Sequence, residues 1–84
     1  MNPRVAQVQP LIGYRLLLTF TNGEDRIFEM TPYLDKGIFI TLRDPAYFNA
    51  VRAVGGSIAW PDGQDLCPDT LYELSSSDAG QQAA

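Results

Sequence analysis

Tyr14-Arg15-Leu16-Leu17-Leu18-Thr19-Phe20-Thr21-Asn22-Gly23-Glu24-Asp25-Arg26-Ile27-Phe28-Glu29-Met30 is the stretch on which the fold turns. Two runs rich in apolar and β-prone residues flank Asn22-Gly23. Asn-Gly between such runs is the strongest short-range hairpin signal, because a type I′ turn needs positive φ at both central residues. A two-residue loop predicts the register Leu18 opposite Ile27, Leu17 opposite Phe28 and Leu16 opposite Glu29. On that register Leu16 and Leu18 share one face, Leu17 and Phe28 the other. Apolar side chains on both faces imply a hairpin that is central in its sheet or covered on both sides.

Upstream, Val5-Ala6-Gln7-Val8-Gln9 alternates weakly and reads as a first strand. Pro10 cannot donate to a ladder, which argues for an edge position or a strand end. Downstream, Thr31-Pro32-Tyr33-Leu34-Asp35-Lys36-Gly37 breaks the pattern and reads as a helical turn ending at Gly37, and Ile38–Leu42 fits either helix or strand. Asp44-Pro45 is an N-cap followed by Pro at the first helical position, opening a short helix through Ala50 with Tyr47 and Phe48 on its buried side. Val51–Val54, Gly55-Gly56 and Ser57–Trp60 read as a second hairpin, with Ala53 opposite Ile58 and Val51 opposite Trp60. Pro61-Asp62-Gly63 is a turn, and Pro68 starts a last helix through Leu74. The expected architecture is α+β: a small twisted antiparallel sheet of two hairpins plus the N-terminal strand, with two short helices. Residues 1–74 form the single domain and 75–84 a disordered polar tail.

The chain has 84 residues, one Cys and no His. A domain of this size buries only about 60–65% of its unfolded surface. It can form neither an internal disulfide nor a zinc site of the usual ligands, so association with another chain, including a homodimer, is the remaining route to added stability. The net charge of -4 is uneven, because residues 61–84 hold acidic side chains and no Lys or Arg. An acidic chain without a basic cluster is a poor direct nucleic-acid binder. No apolar run approaches a membrane span, and the N-terminus lacks the apolar core of a signal peptide. A cytoplasmic location is expected.

Ser57–Tyr72 concentrates the residues with chemical potential: the one Trp, the one Cys, and Asp62, Asp65 and Asp69. The three Asp offer oxygen ligands for a hard cation, but their spacing lacks the alternation and terminal Glu of a calcium loop. Turn and cap chemistry accounts for each of them: Asp62 in the turn, Asp65 capping backbone N–H groups, Asp69 at the positive end of the last helix. Cys67 precedes Pro68 at a helix N-cap, where thiol pKa falls, yet a nucleophilic Cys needs a base and the chain has no His. Trp60, Tyr72 and Tyr33 serve either a core or an aromatic contact surface. Arg26, Arg43 and Arg52 are isolated in sequence and read as surface residues. No catalytic residue, metal ligand or cofactor is assigned.

Four fragments in order resemble one family: Leu18-x-Phe20-x-Asn22-Gly23-Glu24; Pro32-Tyr33-Leu34-x-x-Gly37-x-Phe39; Leu42-x-Asp44-x-x-x-Phe48; and Ile58-x-Trp60-Pro61-x-Gly63-x-Asp65-Leu66-x-Pro68-Asp69-x-Leu71-Tyr72. Across residues 3–74 the chain resembles the bacterial domain-of-unknown-function 2442 family (DUF2442). The resemblance implies a small α+β domain of unassigned activity. Some relatives carry it ahead of a helix-turn-helix domain; others are encoded beside a second small protein, in an arrangement similar to toxin–antitoxin pairs. This chain ends at Ala84, so an attached DNA-binding domain is not expected. The expected function is a non-enzymatic protein-interaction module of such a two-protein system, with Trp60, Asp62, Asp65, Asp69 and Tyr72 as contact surface and a small partner from a neighbouring gene. The alternatives are an antitoxin-like transcriptional regulator acting through a DNA-binding partner, and a metal-dependent hydrolase using Asp62, Asp65 and Asp69.

Overall fold

A computed structural model describes residues 2–76. Strands β1 (Val5–Leu11), β2 (Arg15–Phe20) and β3 (Asp25–Glu29) form one antiparallel sheet in that order, and β4 (Arg52–Val54), β5 (Ser57–Ala59) and β6 (Asp65–Leu66) form a second. Between them lie 3-10 helices at Thr31–Tyr33 and Gly37–Arg43 and the short helix α1 (Pro45–Phe48); α2 (Pro68–Leu74) follows β6. The α+β class is as expected, with the strands divided between two sheets. The sheets meet where the Val5 N–H donates to the Gly56 carbonyl at 2.8 Å. Among the described residues no helix is long and apolar enough to cross a membrane.

The first hairpin departs from its expected register by one residue. Leu18 pairs with Arg26, Leu17 with Ile27 and Leu16 with Phe28. The loop holds three residues, not two: the Gly23 N–H donates to the Phe20 carbonyl at 2.9 Å and the Phe20 N–H to the Glu24 carbonyl at 2.8 Å. This is a turn closed by a bulge glycine, with Gly23 at φ +91°. A one-residue slip moves a whole strand's apolar set to the other face. Here it brings Phe28 beside Leu16 and Leu18, so the buried side chains of the sheet lie together. Leu17 and Ile27 are half-buried on the opposite face, and of the two arrangements expected, a central place or cover on both sides, β2 has the first. Pro10 lies within β1 opposite Leu16, on an edge strand of its own sheet.

The same plan recurs from β5 to β6. The Gly63 N–H donates to the Trp60 carbonyl and the Trp60 N–H to the Gln64 carbonyl, both at 2.9 Å, with Gly63 at φ +98°. Phe20-Thr-Asn-Gly23-Glu24 and Trp60-Pro-Asp-Gly63-Gln64 are thus two copies of one loop. Asp65, expected to cap backbone N–H groups, is a strand residue paired with Ala59. A Cβ at Gly63 would meet nothing within 4 Å, so only the left-handed backbone opposes a side chain there. Gly63→Ala should cost about 1–2 kcal/mol, read as a lower urea midpoint with an unchanged m-value.

The Gly55-Gly56 hairpin has its expected pairing, with Ala53 opposite Ile58 and both glycines at positive φ. Val51 and Trp60 are both buried but lie just outside the paired strands. Asp44 caps α1 as expected, its carboxylate accepting from the Ala46 N–H at 3.1 Å. The ambiguous segment is helical: in Gly37–Arg43 the i, i+3 pair Phe39 and Leu42 is buried, while Ile38 and Ile40 face outward. One core collects Leu16, Leu18, Phe20, Phe28 and Met30 from the first sheet, Ile58 and Trp60 from the second, Phe39, Leu42 and Phe48 from the segment between, and Leu71 from α2.

The first two residues of the expected disordered tail belong to the fold. Ser75 is buried, and Ser76 exchanges two backbone hydrogen bonds of 2.8 Å with Ile27, extending the β3 edge. The remainder of the expected disordered tail, residues 77–84, lies outside the described residues.

Candidate functional site

Trp60 organises the candidate site from behind. It is buried, and its indole N–H donates to the Phe48 carbonyl at the end of α1 at 2.9 Å. Its ring lies against that of Phe48, with centroids 6.0 Å apart. Trp60 therefore offers no contact surface, which corrects its place among the expected interface residues: a side chain of this size in so small a domain is needed to fill the core.

The turn beyond it is pinned to α1 by one hydroxyl. Tyr47 Oη accepts from the Asp62 N–H and donates to Gln64 Oε1, both at 2.8 Å. Asp62 thereby sits in the Pro-Asp-Gly turn as expected, with its carboxylate exposed. On the other side of the turn runs the 3-10 helix Gly37–Arg43. Between them lies an open groove of about 380 Å³, lined by Gly37, Ile38, Thr41, Asp62, Gly63, Gln64 and Asp65. Ile38 is 64% exposed at its wall.

Asp69 and Tyr72 do not join this groove. Asp69 is exposed in the first turn of α2, where it favours the positive helix end as expected, and it accepts from Asn2 Nδ2 at 3.4 Å. No three His, Cys, Asp or Glu side chains come together to hold a metal ion among the described residues. The three carboxylates of the expected hydrolase site do not come together: β6 places Asp65 at the groove, and the start of α2 places Asp69 beside Asn2. Cys67 stands at the N-cap of α2 and is exposed, with no side-chain capping bond.

Tyr72 belongs to a second cluster, which the sequence reading missed. Its ring meets the edge of Phe20 at 5.0 Å and lies under the Arg26 guanidinium, 4.0 Å from the ring centroid. Its hydroxyl donates to Glu24. Arg26 also donates to the Tyr72 and Ser75 carbonyls at 3.3 and 3.2 Å, and pairs with Glu24 at 3.2 Å. The Tyr72 hydroxyl, then the Asn22 amide and the Arg26 charge, hold the Glu24 carboxyl below its ordinary value. The cluster fastens the end of α2 to the first hairpin. Alternation along β3 carried one signal for it, since Arg26 must share the face of Phe28 whatever the register. Nothing local indicated that Tyr72 would cover it.

A family model described as "Protein of unknown function (DUF2442)" matches residues 5–77. The chain belongs to the DUF2442 family. The match spans both hairpins, the groove and the Arg26–Tyr72 cluster, so both features lie within the family domain. No curated protein and no solved structure matches the chain.

Proposed function

We propose that this DUF2442 member is a non-enzymatic protein-interaction module, one half of a small two-protein system of the toxin–antitoxin kind, and that it meets its partner along the groove between Gly37–Thr41 and the Asp62–Asp65 turn. The observation that carries this reading is the composition of that groove: an exposed isoleucine stands beside the exposed carboxylates of Asp62, on a turn pinned by Tyr47, and of Asp65, in β6. Among residues 61–76, Asp62, Asp65, Asp69 and Glu73 are charged and no Lys or Arg offsets them. Apolar contact supplies affinity, while the carboxylates select a partner that is basic at the rim. The groove residues are accessible without disturbing the core, unlike Trp60.

A pull-down under native conditions tests this. Wild-type protein should recover a specific small protein with a Lys- or Arg-rich contact segment. The Asp62→Lys, Asp65→Lys double variant, which changes exposed positions alone, should bind it at least about tenfold more weakly, with the loss concentrated in the association rate. Equal binding by the double variant, or recovery of no specific protein, would contradict the reading.

A further inference from the structure

We propose that Asn22-Gly23 is a covalent modification site gated by the fold: the cluster of Glu24, Arg26 and Tyr72 shields Asn22 from deamidation, and the deamidated chain closes that cluster less well. Asparagine before glycine carries the reaction in its own backbone. The Gly23 nitrogen loses its proton to hydroxide and attacks Asn22 Cγ. An N–Cγ bond forms, the Cγ–Nδ2 bond breaks, and Nδ2 takes a proton from water and leaves as ammonia. Water then opens the succinimide ring. Cleavage of the new bond leaves aspartate at position 22, and cleavage of the original peptide bond leaves an isoaspartyl link through the side chain. Either way amide and water become carboxylate and ammonium, with no oxidant or cofactor. Glycine permits the attack because no Cβ shields its nitrogen.

In the folded chain the reacting atoms are tied. The Gly23 N–H, which must lose its proton, donates to the Phe20 carbonyl at 2.9 Å. Asn22 Nδ2, the leaving group, donates to Glu24 Oε1 at 2.6 Å, and Asn22 Oδ1 accepts from the Glu24 N–H at 3.0 Å. Both ends of the carboxamide are thus fastened to Glu24. Glu24 is fastened in turn: Oε1 also accepts from the Tyr72 hydroxyl, and Oε2 pairs with Arg26 at 3.2 Å. Asn22 is exposed, so water and hydroxide reach it once these bonds open. A reaction confined to the open form runs at a rate set by the open population.

The second copy of the loop indicates what the product does. Trp60-Pro61-Asp62-Gly63-Gln64 makes the same two backbone bonds with aspartate before the glycine. The loop backbone therefore accepts the aspartyl product, and the change falls on the next side chain. After Asp62 that position is the uncharged Gln64, whereas after Asn22 it is Glu24. A carboxylate at position 22 removes the donor to Glu24 Oε1 and sets like charges where a 2.6 Å hydrogen bond stood. The isoaspartyl product adds a backbone atom to a loop whose length fixes the register. Both loosen Glu24 from Tyr72 and Arg26, so the opening that admits the reaction becomes more frequent and the step runs one way. None of these residues lines the acidic groove, so the inference stands apart from the proposed partner surface.

Incubation at mildly alkaline pH, with peptide mapping of Asn22-Gly23 by mass and for isoaspartate, tests it. Wild-type protein in denaturing urea should convert at least about a hundredfold faster than native wild type, and native Arg26→Met at least about tenfold faster. Gly63→Ala, destabilised in the other loop, should convert within about twofold of native wild type, because it leaves the cluster intact. Converted wild-type chains, separated from unconverted ones by charge, should exchange the Ser76 amide at least about tenfold faster, and Asn22→Asp should do the same. Equal conversion in buffer and urea would overturn the proposal. So would acceleration by Gly63→Ala as great as by Arg26→Met, or unchanged Ser76 exchange in the converted chains.

Discussion

Trp60→Ala should remove most of the domain's stability and leave it partly unfolded in dilute buffer at room temperature. Trp60 is 3% exposed and packs where α1, β5 and the Trp60–Gln64 turn meet. Truncating a buried Trp typically costs about 3–5 kcal/mol in lost burial and residual cavity. A domain of this size holds on the order of 5 kcal/mol in all. The loss also frees the Phe48 carbonyl from its indole donor, so the end of α1 loses an anchor. Circular dichroism is the appropriate measurement, because the substitution removes the chain's one tryptophan. Trp60→Phe should be milder, about 1–3 kcal/mol, since it keeps much of the ring and loses the hydrogen bond. A wild-type urea midpoint in Trp60→Ala would show that the core does not depend on this corner. The consequence for function is direct: loss of binding in Trp60→Ala would report unfolding, whereas Asp62 and Asp65 can report contact.

Arg26→Met should cost about 2–3 kcal/mol and release the end of the chain from the first hairpin. Arg26 ties together four groups: the Tyr72 ring and carbonyl, the Ser75 carbonyl and the Glu24 carboxylate. Methionine matches the apolar stem and supplies none of these bonds. Hydrogen exchange should show the effect most sharply at Ile27 and Ser76, whose paired amides lie beside the cluster. Arg26→Lys should recover less than half of the loss, because an ammonium cannot serve two carbonyls, a carboxylate and an aromatic face with one geometry. The cluster also sets an acid limb. The Glu24 carboxyl is held below its ordinary value by the Tyr72 hydroxyl first, then by Asn22 and Arg26. A carboxylate whose folded value is depressed contributes stability above its unfolded value, and that contribution disappears as pH falls through the folded value. Urea midpoints of the wild type should therefore decline on acidification below the usual carboxylate range, and Glu24→Gln should flatten that part of the decline. An Arg26→Met protein with undiminished exchange protection at Ser76 would count against the cluster as a clasp.

How far the sequence could be read depended on the range of the interaction concerned. Asp44-Pro45 opens α1, Gly55-Gly56 turns the second hairpin, and Cys67-Pro68 begins α2, because caps, positive φ and the missing proline N–H act within a few residues. Asn22-Gly23 announced a turn correctly but not its length. Two-residue and three-residue loops share the same glycine signal, and one bulge residue separates the two registers. Only the demand that Phe28 join Leu16 and Leu18 in one core decides between them. The candidate site divides in the same way. Asp62 in its turn was legible, whereas the groove requires Ile38 and Thr41, which are distant in sequence and came from a segment whose type the pattern left open.

The sequence by itself determined the α+β class, the positions of the turns and helix starts, and membership of the DUF2442 family, because these rest on local backbone chemistry and on the order of short motifs. The tertiary structure decided which face each strand buries, that Trp60 is core and not surface, and that Arg26 and Tyr72 meet across the chain. Burial is a property of what packs against a residue, and at Trp60 the packing partner is Phe48, held there by a hydrogen bond that no run of neighbouring residues encodes.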